Sequence, residues 1–308
     1  MSNSWSAFVS RFRIPLIAAP MTLVSGLELV AAAAGAGIGG GFPVHNASSP
    51  QEMGRWLSRT DRLRGPVIPN VVVHRTNTRL ADDLSVIAAS HVPAVITSVG
   101  NPQPVVGPLH DAGILVLADV GSMRHVDRAI AAGADGLVLL TAGAGGQTGW
   151  ANPFAFAHAV RKVWDGPMIL AGGISDGRGL LAAIVAGFDL VYMGTPFIAT
   201  VESSAPRDWK DAVVAAGMDD IELTSEVTGL PTSMIRAAAT SAATPAIDGF
   251  EMARLGASDH LEPESGEIRY SAGHSAAGVD EVLSVVELVD RVESQLLSAA
   301  KDLRISER

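Results

Sequence analysis

The sequence has no cysteine in its 308 residues. That one absence excludes disulfides, thiolate metal sites and cysteine nucleophiles together. Charge is also scarce: 18% of residues are Asp, Glu, Lys or Arg, and 22 Lys and Arg face 32 Asp and Glu for a net charge of −10. No basic cluster offsets that balance, which argues against a nucleic-acid partner. No apolar run reaches the roughly 18 residues of a membrane span, and Met1 to Phe12 lacks the long apolar stretch of a signal peptide. The sequence therefore reads as a cytoplasmic protein with no membrane partner. Disorder is excluded by the 48% of hydrophobic residues. The length suits one large α/β domain or two smaller ones, and a homodimer is compatible with it.

What is present is glycine, 32 residues of it, concentrated where apolar runs stop. Leu137 to Leu140 is such a run, and it ends in a loop with Gly143, Gly145, Gly146 and Gly149, with Gln147 and Thr148 at the tip and Trp150 closing it. Similar short runs fall at 14–21, 66–73, 94–97, 114–118, 136–140, 167–171 and 189–193, separated by segments with helical spacing. With the stretch at 36–43 they make eight units. The runs are apolar throughout instead of alternating, as in a parallel sheet covered on both faces. The expected fold is α/β, a (β/α)₈ TIM barrel over residues 1–199 and 273–308, with a smaller lid domain inserted after strand eight at 200–272. Thr224 to Met234 reads as turn-rich, and Val279 to Lys301 as a closing helix with one apolar stripe.

In such a barrel, ligands gather at the C-terminal strand ends, and phosphates often bind after strands seven and eight. Those two loops here are Ala171-Gly172-Gly173-Ile174 and Met193-Gly194-Thr195, each opening on glycine. The first runs into a helix whose N-terminus is expected to favour an anion. The run Ala18-Ala19-Pro20-Met21 offers a small rigid platform and a soft side chain for a ring face. Asn70 adds an amide, Thr97 ends the fourth strand, and Gly146 ends the sixth. Together they suggest a flat, phosphorylated cofactor, and FMN fits best. Gly35 to Gly40 satisfies the dinucleotide pattern G-x-G-x-x-G, but it follows an Ala-rich helix and runs into Phe42-Pro43, so a tight turn at the barrel mouth is expected instead. Asp119 and Asp135 read as capping or turn residues, and Trp150 as packing the junction between barrel and helix.

The order Ala19-Pro20-Met21, Ala142 to Gly149, Ala171 to Ile174, Met193 to Thr195 and Ser271-Ala272-Gly273 resembles the nitronate monooxygenase family, once called 2-nitropropane dioxygenases. It is also similar to FMN-dependent enoyl-thioester reductases. The resemblance covers residues 15 to about 290 and implies FMN held by Ala19, Pro20, Met21, Asn70 and Gly146 at the ring and by Gly172, Gly173, Gly194 and Thr195 at the phosphate. It implies a small-molecule substrate, a nitronate or a relative of one, oxidised with O2. The alternative is a reductase that uses NADH or NADPH on enoyl thioesters or quinones. One departure stands out. Family members have a catalytic histidine where this chain has Gln147, while the Ser-Ala-Gly motif, which often continues with Gln, continues here with His274. An amide takes no proton near neutral pH, whereas imidazole titrates there. The catalytic candidates are therefore Gln147, Thr148 and His274, and no metal site is expected.

Overall fold

The computed structural model describes residues 3–225, 229, 231–236 and 269–303. The strands are β1 (Leu16–Ala18), β2 (Gly39–Pro43), β3 (Val67–Val72), β4 (Ala94–Ser98), β5 (Leu115–Val120), β6 (Gly136–Leu140), β7 (Gly146–Gln147), β8 (Met168–Ala171), β9 (Leu190–Met193), β10 (Ile221–Thr224) and β11 (Thr232–Ile235). The helices are α1 (Asn3–Val9), α2 (Leu27–Gly35), α3 (Pro50–Thr60), α4 (Leu80–Ala88), α5 (Gln103–Asp111), α6 (Met123–Ala132), α7 (Pro153–Arg161), α8 (Gly177–Val185), α9 (Thr195–Ile198), α10 (Arg207–Ala215) and α11 (Val285–Asp302).

Strands β1 to β6, β8 and β9 close into a barrel, every neighbouring pair parallel. The expected barrel is the observed one. Alternation divides each strand between two layers. Ile17, Ile68, Ile96, Leu117, Val138, Ile169 and Tyr192 point inward and form one buried cluster, while Val71, Val95 and Val116 pack outward beneath the helices. Helix α1 closes the N-terminal end, its Trp5 and Phe8 joining the inward cluster with ring centroids 5.3 Å apart.

Two local expectations are corrected. The glycine run before Phe42 is not a turn but β2 itself. A Cβ on Gly40 would stand 2.7 Å from the Val30 carbonyl, and one on Gly41 2.8 Å from that of Ala18, so glycine lets helix and strand approach closely. The turn-rich reading of 224–234 also fails in part. Strands β10 and β11 pair antiparallel there, and β11 pairs in turn with β7. The loop after β6 is thereby tied to the segment beyond the barrel. Of the expected lid, residues 226–228, 230 and 237–268 lie outside the described residues. Among those described, no helix is long and apolar enough to cross a membrane.

Candidate active site

The mouth is built from strand ends. After β1, Ala19 donates its N–H to Met193 O at 3.0 Å, and Ser25, fully buried, ties the loop by donating to Ala19 O and accepting from Met21 N. Asn46 braces it from outside, donating to Met21 O and Ser25 O and accepting from Leu23 N. This brace holds Leu23 at φ 64°, and Val99, after β4, stands at φ 52°. Both are side-chain-bearing residues in a left-handed conformation that costs energy, and both lie at the mouth. His45 faces Thr22 at 3.1 Å, and burial, then Arg79, lowers its imidazole to about 4, so it stays neutral.

Asn70 turns inward from β3. Its Oδ1 accepts from Ser98 Oγ at 3.3 Å, while its buried Nδ2 has no partner among the described residues. Thr97 points the other way, toward the helices, and gives its hydroxyl to Leu117 O at 3.4 Å. Only its backbone reaches the mouth.

Gly172 and Gly173 adopt φ 136° and 73°, and a Cβ on Gly172 would lie 2.6 Å from Thr141 Oγ1. Among the described residues the N–H groups of Gly172, Gly173 and Gly194 donate to no backbone carbonyl. Such free, convergent amides suit an anion. The helix dipole expected to assist from α8 is spoken for: Asp176 caps Gly179 N at 2.7 Å, and Gly177 N donates to Gln295 of α11. The short helix α9 begins after β9, with Gly194 and the buried Thr195 at its start.

The loop after β6 and the 271–274 segment meet. His274 N donates to Gly143 O at 3.1 Å, Gly273 N donates to Thr195 Oγ1 at 2.9 Å, and a Cβ on Gly143 would lie 3.1 Å from His274 Nδ1. His274 is exposed, its ring beside Gly143. Gln147 is exposed at the end of β7, with no side-chain hydrogen bond among the described residues. Thr148 is differently placed: its hydroxyl donates to Thr141 O at 2.9 Å and fixes the loop. Trp150 does not pack the junction, being 81% exposed, with Phe154 nearby at 60%.

Two mouth residues escaped the sequence reading. Asp119, assigned there to capping, caps nothing; its Oδ1 is closed to solvent without a hydrogen-bond partner, and burial pushes the carboxyl up to about 8. The Tyr192 hydroxyl is likewise buried and unpartnered, and burial, then the charge of Asp119, raises it well above the ordinary phenol value. Parity was the available signal, since both fall on the inward face of otherwise apolar strands. No group of His, Asp and Glu able to hold a metal occurs among the described residues.

Glycine cradle, amide, platform and barrel together fit a flat phosphorylated group, and residues 68–295 match the family described as nitronate monooxygenase. The chain belongs to the nitronate monooxygenase family. The nitronate monooxygenase of Paraburkholderia phytofirmans is 27% identical over 84% of this chain and 76% of its own. The (3aS,4S,5R,7aS)-5-hydroxy-7a-methyl-1-oxo-octahydro-1H-indene-4-carboxyl-CoA dehydrogenase of Rhodococcus jostii is 29% identical over 70% of this chain, a match spanning only 61% of that protein's length. FabK from Thermotoga maritima superposes over 99% of both chains with a TM-score of 0.81 and 25% identity.

Proposed function

We propose that the chain is an FMN-dependent enzyme that oxidises alkyl nitronate anions with O2 to a carbonyl compound and nitrite. In this reading Ala19, Pro20, Met21, Asn70 and Gly146 hold the ring, and Gly172, Gly173, Gly194 and Thr195 hold the phosphate. FMN supplies the electron-accepting ring when bound; the chain's residues bind, orient and shield. The observation that carries the substrate choice is the exposed amide of Gln147 at the tip of β7. It donates hydrogen bonds to nitro oxygens but takes no proton, so it suits a substrate that arrives already as an anion. A neutral nitroalkane must first lose its α-proton to a positioned base. Thr148 contributes by holding the loop instead of touching substrate. His274, beside Gly143, serves as a donor to an anion. Residues 200–272 act as the lid that selects the substrate, and the protein works in the cytoplasm.

A second reading, reduction of an enoyl thioester or quinone with NADH or NADPH, is favoured in its thioester form by the likeness to the carboxyl-CoA dehydrogenase of Rhodococcus jostii. The exposed Trp150 and Phe154 offer such an acyl group an apolar wall. Anaerobic mixing separates the two. Bleaching of the flavin band by propyl-2-nitronate, with nitrite formed once air is admitted, supports the first; bleaching by NADH or NADPH alone supports the second. Equal kcat/KM for the nitronate and its neutral nitroalkane would sink the role given to Gln147. Gln147→His is expected to raise activity on the neutral form by about 10²-fold, the low end of general-base catalysis.

A further inference from the structure

Asp119 occupies a place for which an apolar parallel strand has no structural use. Leu115 and Leu117 are buried inside the barrel and Ala118 and Val120 pack outward, so alternation turns Asp119 inward at the C-terminal end of β5. Asn70 and Tyr192, each only 6% exposed, face the same interior with an unpartnered amide nitrogen and an unpartnered hydroxyl. Inward residues of alternate strands form layers in such a barrel. Following the register round, Ala19, Asn70, Asp119 and Ala171 fall in one layer, with Tyr192 in the layer beneath. Two alanines thus flank two polar side chains, and a third polar group points at them from below. Three unsatisfied buried groups in a barrel otherwise filled by Ile, Leu and Val are costly unless something completes their hydrogen bonds.

We propose that Asp119 is a ligand of the flavin, a neutral carboxyl that with Asn70 and Tyr192 hydrogen-bonds to the polar atoms of the ring system and favours its reduced, more negative form. The proposal rests on the reading that a flavin occupies this mouth. Among the described inward positions no cation is available to hold a carboxylate there. The inward side chains of the strands flanking β5 are Ile96, Ser98, Val138 and Leu140, and Tyr192 is the only other titratable group among the inward positions named. Burial alone therefore keeps the proton on Asp119 up to about pH 8. A neutral donor stabilises added negative charge on a ring, whereas an ionised carboxylate repels it. The midpoint potential of the bound flavin should accordingly fall more steeply once Asp119 ionises.

The test uses the full chain and its Asp119→Asn and Asp119→Leu variants. Each is titrated with FMN, and the midpoint potential of bound FMN is followed from below to above pH 8. Asp119→Asn keeps a neutral donor, so it should retain the neutral-pH potential and lose the break near pH 8. Asp119→Leu should weaken FMN binding about three- to tenfold, the worth of one net hydrogen bond, and lower the potential. Free of FMN, the same variant should melt at a higher temperature than the parent. Parent-like affinity, potential and pH profile in both variants would overturn the inference while leaving the flavin reading intact. Failure of the parent itself to bind FMN would remove both, and the first titration reveals it. Should Asp119→Leu not fold, the pH break in Asp119→Asn decides alone.

Discussion

The two ends of the barrel use the same residue type to opposite ends. At the N-terminal end, Asp135 accepts from Val116 N at 2.8 Å and pairs with His110, and Asp189 accepts from Met168 N at 2.9 Å and meets Arg161. At the C-terminal end, Asp119 Oδ1 is closed to solvent and accepts no hydrogen bond among the described residues. The left-handed Leu23 and Val99 and the opened glycine loops also lie at that end. A carboxylate that satisfies backbone donors is a stabilising device, and one left without a partner in a closed interior is a reserved binding group. Stability and chemistry are thus segregated along one axis, as the architecture allows.

That contrast is open to direct attack. The largest expected effect is at the closed end: Phe8→Ala should cost about 3–5 kcal/mol in denaturant unfolding and leave the absorption spectrum of the bound flavin unchanged in the folded fraction. A spectral shift would mean the two ends are coupled. Asp135→Ala strands the buried Val116 N–H and should cost about 1–3 kcal/mol, whereas Asp119→Asn should cost the apoprotein nothing. Equal losses in the two would erase the distinction.

The last contrast is a pH dependence. The folded apoprotein keeps the Asp119 proton up to about pH 8, while the unfolded chain releases it near the ordinary carboxylate value. Stability present at low pH is therefore lost as pH climbs between those values. His45, lowered to about 4, works the other way: its share is present above the ordinary 6.5 and fades as pH falls from there to about 4. The Asp119 decline should stand alone between about 6.5 and 8 in apoprotein melting curves, and Asp119→Asn should flatten it.

Much of this was legible beforehand. Apolar runs such as Ile114 to Ala118 announce buried parallel strands, and glycine pairs at 172–173 and 194 mark strand ends that must stay open. The second strand was counted at 36–43, yet its glycines also read as a turn, because Gly39, Gly40 and Gly41 lack the side chains by which a strand is recognised. Strands β10 and β11 were hidden because their partner is a two-residue edge in a distant loop. Asp119 was read as a cap because sequence gives its neighbours along the chain, not the empty side of the barrel it faces. Thr148 was read as a substrate contact because the Thr141 carbonyl that takes its proton is brought close only by the fold of the loop.

The N-terminal helix has a consequence for how the chain is made. Trp5 and Phe8 are made before any barrel strand, yet their cluster includes Leu190 and Tyr192 of the last barrel strand, and β1 must pair with β9 to close the ring. The aromatic plug therefore has no complete seat until almost the whole barrel has emerged. Contacts so far apart in sequence form slowly. During synthesis the aromatic face of α1, which precedes every barrel strand, waits for the last of them before its burial is complete.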